Sequence, residues 1–176
     1  MSYKKSKNKT KGYISLALYR LMLRKDYEEI TVKEICERAG VSRMSFYRYY
    51  NMKDDIFIDY CDDRFEEFYE KIKELKDYNA RTFILEMFRF IKKYSRQLKI
   101  LQMAHREFML LDQLNGYAKY IVSNLKTEFF MERKNNPLFP YFFSGGLFNT
   151  ILYLINTDMK MSAEEATDML YDMIKL

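Results

Sequence analysis

Residues 31–50, TVKEICERAGVSRMSFYRYY, hold a helix start, a helix stop and a second helix start, and few folds accommodate that punctuation. Thr31 and Glu34 make the T-x-x-E pattern of a capping box. In that motif the hydroxyl accepts from an exposed backbone amide while the carboxylate reaches back to the amide before the helix. Ile35 and Ala39 follow at the spacing of a buried stripe. Gly40 stands where this helix must end, because glycine enters the left-handed conformation of a helix terminus at no Cβ cost. Ser42, two residues on, can cap another helix. Helix, three-residue turn and helix are therefore encoded in succession, with Ala39 small enough to let the two helices cross closely.

The rings of this stretch sort by helical phase. Phe46 and Tyr50, four apart, fall on the face that also receives Val41 and are expected to pack inward on Ile35 and the helix before it. Arg43, Met44 and Tyr47 fall on the other side, as does Tyr49 unless it joins the core, with Arg48 readable either as a further cation of that face or as an ordinary solvated side chain. Outward tyrosines among cations suit nucleic acid, where a phenol can bond a phosphate and a ring can lie on sugar or a thymine methyl.

The charge distribution agrees. Residues 1–53 carry 13 Lys+Arg against 5 Asp+Glu, whereas residues 54–176 carry 17 against 20, so a front of +8 precedes a body of −3. A basic front fits a polyanion, although a solvated lysine tail that keeps a protein soluble would look the same. The lysines of the leading segment, Lys4, Lys5, Lys7, Lys9 and Lys11, read as a mobile arm adding non-specific attraction or entering a minor groove.

The chain of 176 residues is long enough for one domain or for a small module on a medium one. With 48% hydrophobic and 17% aromatic residues but only two prolines and five glycines, it reads as an all-α protein of about nine helices. A first amphipathic helix is expected over about residues 10–25. A fourth is expected to be capped by Asn51, with Asp54 and Asp55 in its first turn, and to run to about residue 76. Five more are expected over 79–94, 96–109, 112–133, 140–156 and 162–175, the last opened by a second capping box, Ser162 with Glu165. Cys36 and Cys61, the only cysteines, exclude a disulfide framework and a four-cysteine zinc site and read as small buried hydrophobes. No apolar run crosses a bilayer and no signal peptide is evident, so a cytoplasmic location is expected.

The segment TVKEICERAGVSRMSFYRYYNMKDDI resembles the DNA-binding signature of TetR-family transcriptional regulators: a helix, the A-G-V-S turn, a recognition helix holding a tyrosine, then a lysine at the start of helix four. The resemblance covers about residues 10–57 and implies an N-terminal helix-turn-helix DNA-binding domain, residues 1–53. Helix four would join it to a helical effector-binding and dimerisation domain, residues 54–176. Carried onto this chain, it implies that Thr31 meets phosphate and that Arg43, Met44 and Ser45 face base edges beside the capping Ser42. Tyr47 and Tyr49 would lie on the DNA backbone, and Lys53 on a phosphate. Two positions depart from the family: Cys36 stands where alanine is usual and Met44 where a small residue is common.

For the remainder, FFSGGLFNTILYLIN followed by MSAEEA resembles the last two helices of the subgroup related to the regulator of dihydroxyacetone kinase genes. Gly145 and Gly146 inside an apolar helix cost propensity and suggest that another helix approaches there. With Phe148, Asn149, Leu152, Met169 and Met173 they are candidates for a two-fold four-helix homodimer interface; the alternative is that this helix is the monomer's own core. Phe88, Tyr94, Met103, His105, Phe108, Tyr117 and Tyr120 are candidates to line an adaptable pocket for a small apolar or aromatic effector, although a Met and aromatic stripe is also what a plain helical core presents.

The family resemblance implies a repressor that binds a palindromic double-stranded operator as a homodimer and is released when an effector pivots helix four; some relatives instead answer to a protein partner or act as activators. An enzyme is disfavoured: there is no Gly-rich phosphate loop and no G-x-S-x-G elbow. His105, the one histidine, has no metal-ligand spacing with another, so neither metal nor cofactor is expected. A non-enzymatic helical adaptor is the other class left open.

Overall fold

The structure, a computed structural model, describes residues 9–75 and 79–174. Among these residues there are ten α-helices, one 3-10 turn and no strand, so the chain is all-α. It forms two compact units, one ending at Asp63 and the next beginning at Arg64.

The first unit holds α1 (Lys9–Met22), the 3-10 turn Tyr27–Glu29, α2 (Val32–Ala39), α3 (Arg43–Tyr47) and the opening turns of α4 (Asp54–Glu74). Ile14, Ala17 and Leu18 put one face of α1 into the core with Tyr27, Ile30, Ile35, Cys36, Phe46, Tyr50, Ile56, Phe57 and Cys61. Both cysteines are thus buried, and burial raises the pKa of each thiol. The expected first helix stops three residues early, at Met22, and the 3-10 turn follows.

α2 begins on the encoded capping box. Thr31 Oγ1 accepts from the Glu34 amide at 3.2 Å, and a Glu34 carboxylate oxygen accepts from the Thr31 amide at 2.9 Å. Lys25 donates to the other oxygen at 2.8 Å. Those bonds, from Lys25 first and then the Thr31 amide, hold the Glu34 carboxyl down at about 2. The helix ends at Gly40, whose φ of 67° lies in the left-handed region, and the Val41 amide donates to the Cys36 carbonyl at 3.0 Å. Ser42 Oγ then accepts from the Ser45 amide at 3.0 Å and opens α3.

One boundary is corrected: Asn51 does not cap α4. The Asp55 carboxylate, one turn inside, accepts from the Asn51 and Met52 amides at 2.7 and 3.1 Å, and the helix starts at Asp54. A carboxylate within reach of two exposed amides outcompetes a neutral side-chain amide, because an ionised acceptor makes the stronger bond.

The second unit holds the rest of α4, then α5 (Ala80–Lys93), α6 (Ser95–Met103), α7 (Glu107–Asn124), α8 (Glu128–Met131), α9 (Phe139–Asn156) and α10 (Ala163–Ile174). α7 packs on α9 and α10 on α5. The core is aromatic, with Phe83 edge-on to Phe130 at 5.1 Å and to Phe68 at 5.7 Å. Ser144 of α9 is fully buried and donates to Asn115 of α7 at 2.5 Å, one polar bond tying two largely apolar surfaces together.

The Ser162–Glu165 capping box of α10 stands as expected, and Asn79 caps α5 by accepting from the Thr82 amide at 2.9 Å. The middle helices do not follow the expected division. The helix expected over 96–109 ends at Met103, because His105 takes φ of 53°, and the next starts at Glu107. The helix expected over 112–133 breaks at Leu125, which is extended and buried, and Thr127 caps the short α8 through its bond from the Phe130 amide at 3.3 Å. Burying Leu125 outweighs continuing the helix.

Candidate nucleic-acid interface

The residues singled out in α3 occupy two faces of one short helix. Phe46 is fully buried and Tyr50 nearly so, which anchors α3 by its inner face. Arg43, Met44, Tyr47 and Arg48 are exposed, Met44 to 78% and Tyr47 to 57%. Arg43 enters no ion pair among the described residues. Tyr49 and Ser45 are half-buried, and Ser45 is engaged with Ser42 by its amide and its hydroxyl, the two Oγ atoms lying 3.0 Å apart. Thr31 is exposed at the start of α2, with its hydroxyl spent on the capping box.

Lys53 is placed differently from the expectation. Its ammonium donates to the carbonyls of Tyr27, Glu28 and Ile30 at 2.5, 3.2 and 3.0 Å and sits 4.4 Å from the centre of the Tyr27 ring. An ammonium has three protons. All three are committed to the turn ahead of α2, whose Tyr27 hydroxyl itself donates to Asp54 of α4. Burial lowers the pKa of Lys53 against the opposing pull of Asp54 and Glu34. Here this lysine fastens the helix-turn-helix to α4; in this arrangement it has no donor left for phosphate.

A second fastening was not foreseen. Asp59 of α4 accepts from Lys11 at 2.6 Å and from the Tyr50 hydroxyl at 2.9 Å, and the same ammonium lies 5.4 Å from the Tyr50 ring centre. Burial, then the Asp59 charge, raises the pKa of Tyr50, which stays a neutral donor. Two helices, α1 and α4, and the segment that follows α3 thus meet at one carboxylate. No local spacing in the sequence signals it, since Lys11 and Asp59 lie 48 residues apart.

In the second unit the seven effector candidates divide among three surroundings. Phe88 is buried in the core. Tyr94 bonds Glu67 and accepts from Arg64 at 2.8 Å, while Tyr117 stacks on Phe65 with centroids 4.2 Å apart and Tyr120 meets that ring edge-on at 5.8 Å. Met103, His105 and Phe108 are exposed around the α6–α7 turn. The rings satisfy one another instead of lining a common wall.

The interface candidates fare unevenly. Phe148 is corrected: it is buried, since 144, 148, 151 and 155 form the inward stripe of α9. Gly146 and Asn149 share the opposite, outward stripe with Phe142 and Tyr153, Gly145 and Leu152 are intermediate, and Met169 and Met173 of α10 are exposed. A Cβ added at Gly145 or Gly146 would meet nothing within 4 Å, so no helix of the same chain requires either glycine. Among the described residues no cluster of His, Cys, Asp or Glu could hold a metal, and no helix is long and apolar enough to cross a membrane. The arm residues Lys4, Lys5 and Lys7 lie outside the described residues.

Two solved structures share the fold. One, Lin0861 from Listeria innocua, superposes with a TM-score of 0.80 at 15% identity, covering 95% of this chain and 90% of that one. The other, the fatty acid degradation regulator FadR from Bacillus halodurans, does so with a TM-score of 0.62 at 16% identity, covering 97% and 96%. No curated protein matches in sequence. The family model of bacterial regulatory proteins, tetR family, matches residues 15–60, which span α2, α3, the turn between them and Lys53. Over that segment the chain matches the N-terminal domain of the bacterial regulatory proteins of the tetR family.

Proposed function

We propose that the protein is a repressor that binds a palindromic operator as a homodimer, α3 entering the major groove of each half-site. One observation carries the reading: Arg43, Met44 and Tyr47 are exposed on one face of α3 while Phe46 and Tyr50 lock the other. An exposed guanidinium beside an exposed phenol supplies a base-edge donor and a backbone contact within one turn. Lys53 enters this reading as a clamp, and Thr31 as a phosphate neighbour by its exposed position at the start of α2.

The outward stripe of α9 with Met169 and Met173 supports a second copy of the chain as the partner, since the glycines there serve no contact within one chain. A two-fold pair would present two α3 helices for half-sites about 34–36 Å apart per helical turn. Release by a small apolar or aromatic effector belongs to the same proposal, with a differential affinity of about 1–3 kcal/mol sufficient to act.

The test is selection of duplexes from a random pool at fixed salt, followed by a salt titration on the enriched duplex. A palindromic motif is expected, with log affinity falling against log salt by about 0.9 for each phosphate neutralised. A pool that enriches nothing, or a flat salt response, would leave a helical adaptor as the better reading. For the dimer, Gly146→Leu should weaken self-association at least about tenfold in analytical ultracentrifugation, a side chain there having to displace the partner helix. An unchanged association constant would put the interface elsewhere.

A further inference from the structure

Among the described residues of the first unit, Met44 is the most exposed large hydrophobic side chain, at 78%, ahead of Tyr47, Tyr13 and Met52. Its direction is not adjustable. Phe46, two positions on, is fully buried, and the Ser42 cap closes the N-terminal end of the helix with an amide bond of 3.0 Å, so Met44 is held outward in company with Arg43 and Tyr47. Of the three side chains at the leading end of α3, the Ser45 hydroxyl is engaged by Ser42 at 3.0 Å. Arg43 and Met44 are left to meet whatever α3 meets.

A thioether has almost no hydrogen bond to give, so neither phosphate nor the donor and acceptor edges of guanine, cytosine or adenine reward it. The major groove offers it one complementary group, the C5-methyl of thymine. Resting on the reading of α3 as the groove-entering helix, we propose that Met44 is a specificity residue that reads a thymine methyl in each half-site. Burying the exposed thioether against that methyl recovers transfer free energy that solvent denies it in the free protein. It also makes binding sensitive to one carbon atom of the DNA.

The test uses the full-length protein and the duplex enriched from the random pool, with each thymine replaced in turn by deoxyuridine, which removes only the methyl. One thymine per half-site is expected whose replacement weakens binding about fourfold, the worth of a single buried methyl, and about sixteenfold when both half-sites are changed. Met44→Ala, checked for unchanged helicity by circular dichroism, should bind thymine and uracil duplexes alike, whereas Met44→Leu should keep the discrimination. An enriched motif in which no thymine is sensitive, or one whose sensitivity survives Met44→Ala, overturns this proposal and leaves the regulator reading standing. A pool that enriches no motif overturns both.

Discussion

Phe46→Ala is expected to destabilise the N-terminal unit by about 3–5 kcal/mol, the range for truncating a fully buried phenylalanine. The ring is completely enclosed, meets Tyr47 edge-on at 5.3 Å and lies tilted against Tyr50 at 5.7 Å. α3 is only five residues long, far below what sustains a helix on its own, so its order comes from this packing and from its cap. Removing the ring frees the helix as well as leaving a cavity. Hydrogen exchange followed by peptide mass should show residues 43–50 losing protection first, together with loss of duplex binding. Peptides of α9 and α10 serve as the internal reference. If Phe46→Ala costs less than about 1 kcal/mol, the inner face of α3 is not what holds it, and the two-faced account of the helix fails.

The second large effect concerns Glu86, a buried carboxylate in α5 between two exposed cations. It pairs with Lys71 of α4 and with Arg89 at 2.9 Å, and Arg89 reaches on to Glu164 of α10 at 2.8 Å. Burial pushes the Glu86 pKa up, but bonds from Lys71 and Arg89 pull it further, to a net value below the ordinary one. The two kinds of substitution should therefore differ sharply. Lys71→Ala with Arg89→Ala strands a buried charge and is expected to cost about 3–5 kcal/mol at pH 7, whereas Glu86→Leu, which lets both cations turn to solvent, should be neutral or stabilising. Glu164→Gln controls for the exposed arm of the network and should cost no more than about 1 kcal/mol.

The pH dependence carries the opposite sign in wild type and double variant. With a depressed folded pKa, Glu86 adds stability above its unfolded value of about 4.3, and loses it as pH falls through the lower folded value. Without its cations only burial remains, the folded pKa lies above the unfolded one, and acidification from pH 7 should relieve part of the damage. Urea denaturation of both proteins from pH 7 down to about pH 2, below the ordinary carboxylate range, decides the matter. A double variant that loses stability on acidification as wild type does would show that Glu86 is not held as a paired charge.

How much of this was legible depended on the distance over which each cause acts. The capping boxes at Thr31 and Ser162, the left-handed Gly40 and the Ser42 cap involve partners three or four residues apart, so the residues themselves carry the signal. The division of α3 into a buried Phe46–Tyr50 face and an exposed Arg43–Met44–Tyr47 face follows from helical phase alone. With the charge excess of residues 1–53 and the turn motif, those features were enough to establish the all-α class, the helix-turn-helix and its outward residues from sequence.

Tertiary structure decided whatever depended on competition between distant groups. Lys53 reads like any solvated lysine until three carbonyls of the 27–30 turn come within reach of its ammonium, and Asp59 means little until Lys11 and Tyr50 converge on it. The break at His105 and the extended Leu125 have no punctuating residue; a buried leucine and the packing of neighbouring helices impose them. Phe148 turned inward because Ser144, Ile151 and Ile155 share its stripe, which moved the free surface of α9 to Phe142, Gly146, Asn149 and Tyr153. Hydrogen bonds within one turn are available to any chain that contains the residues, but the burial that overrides propensity, and the last donor a lysine has to give, exist only once the helices have packed.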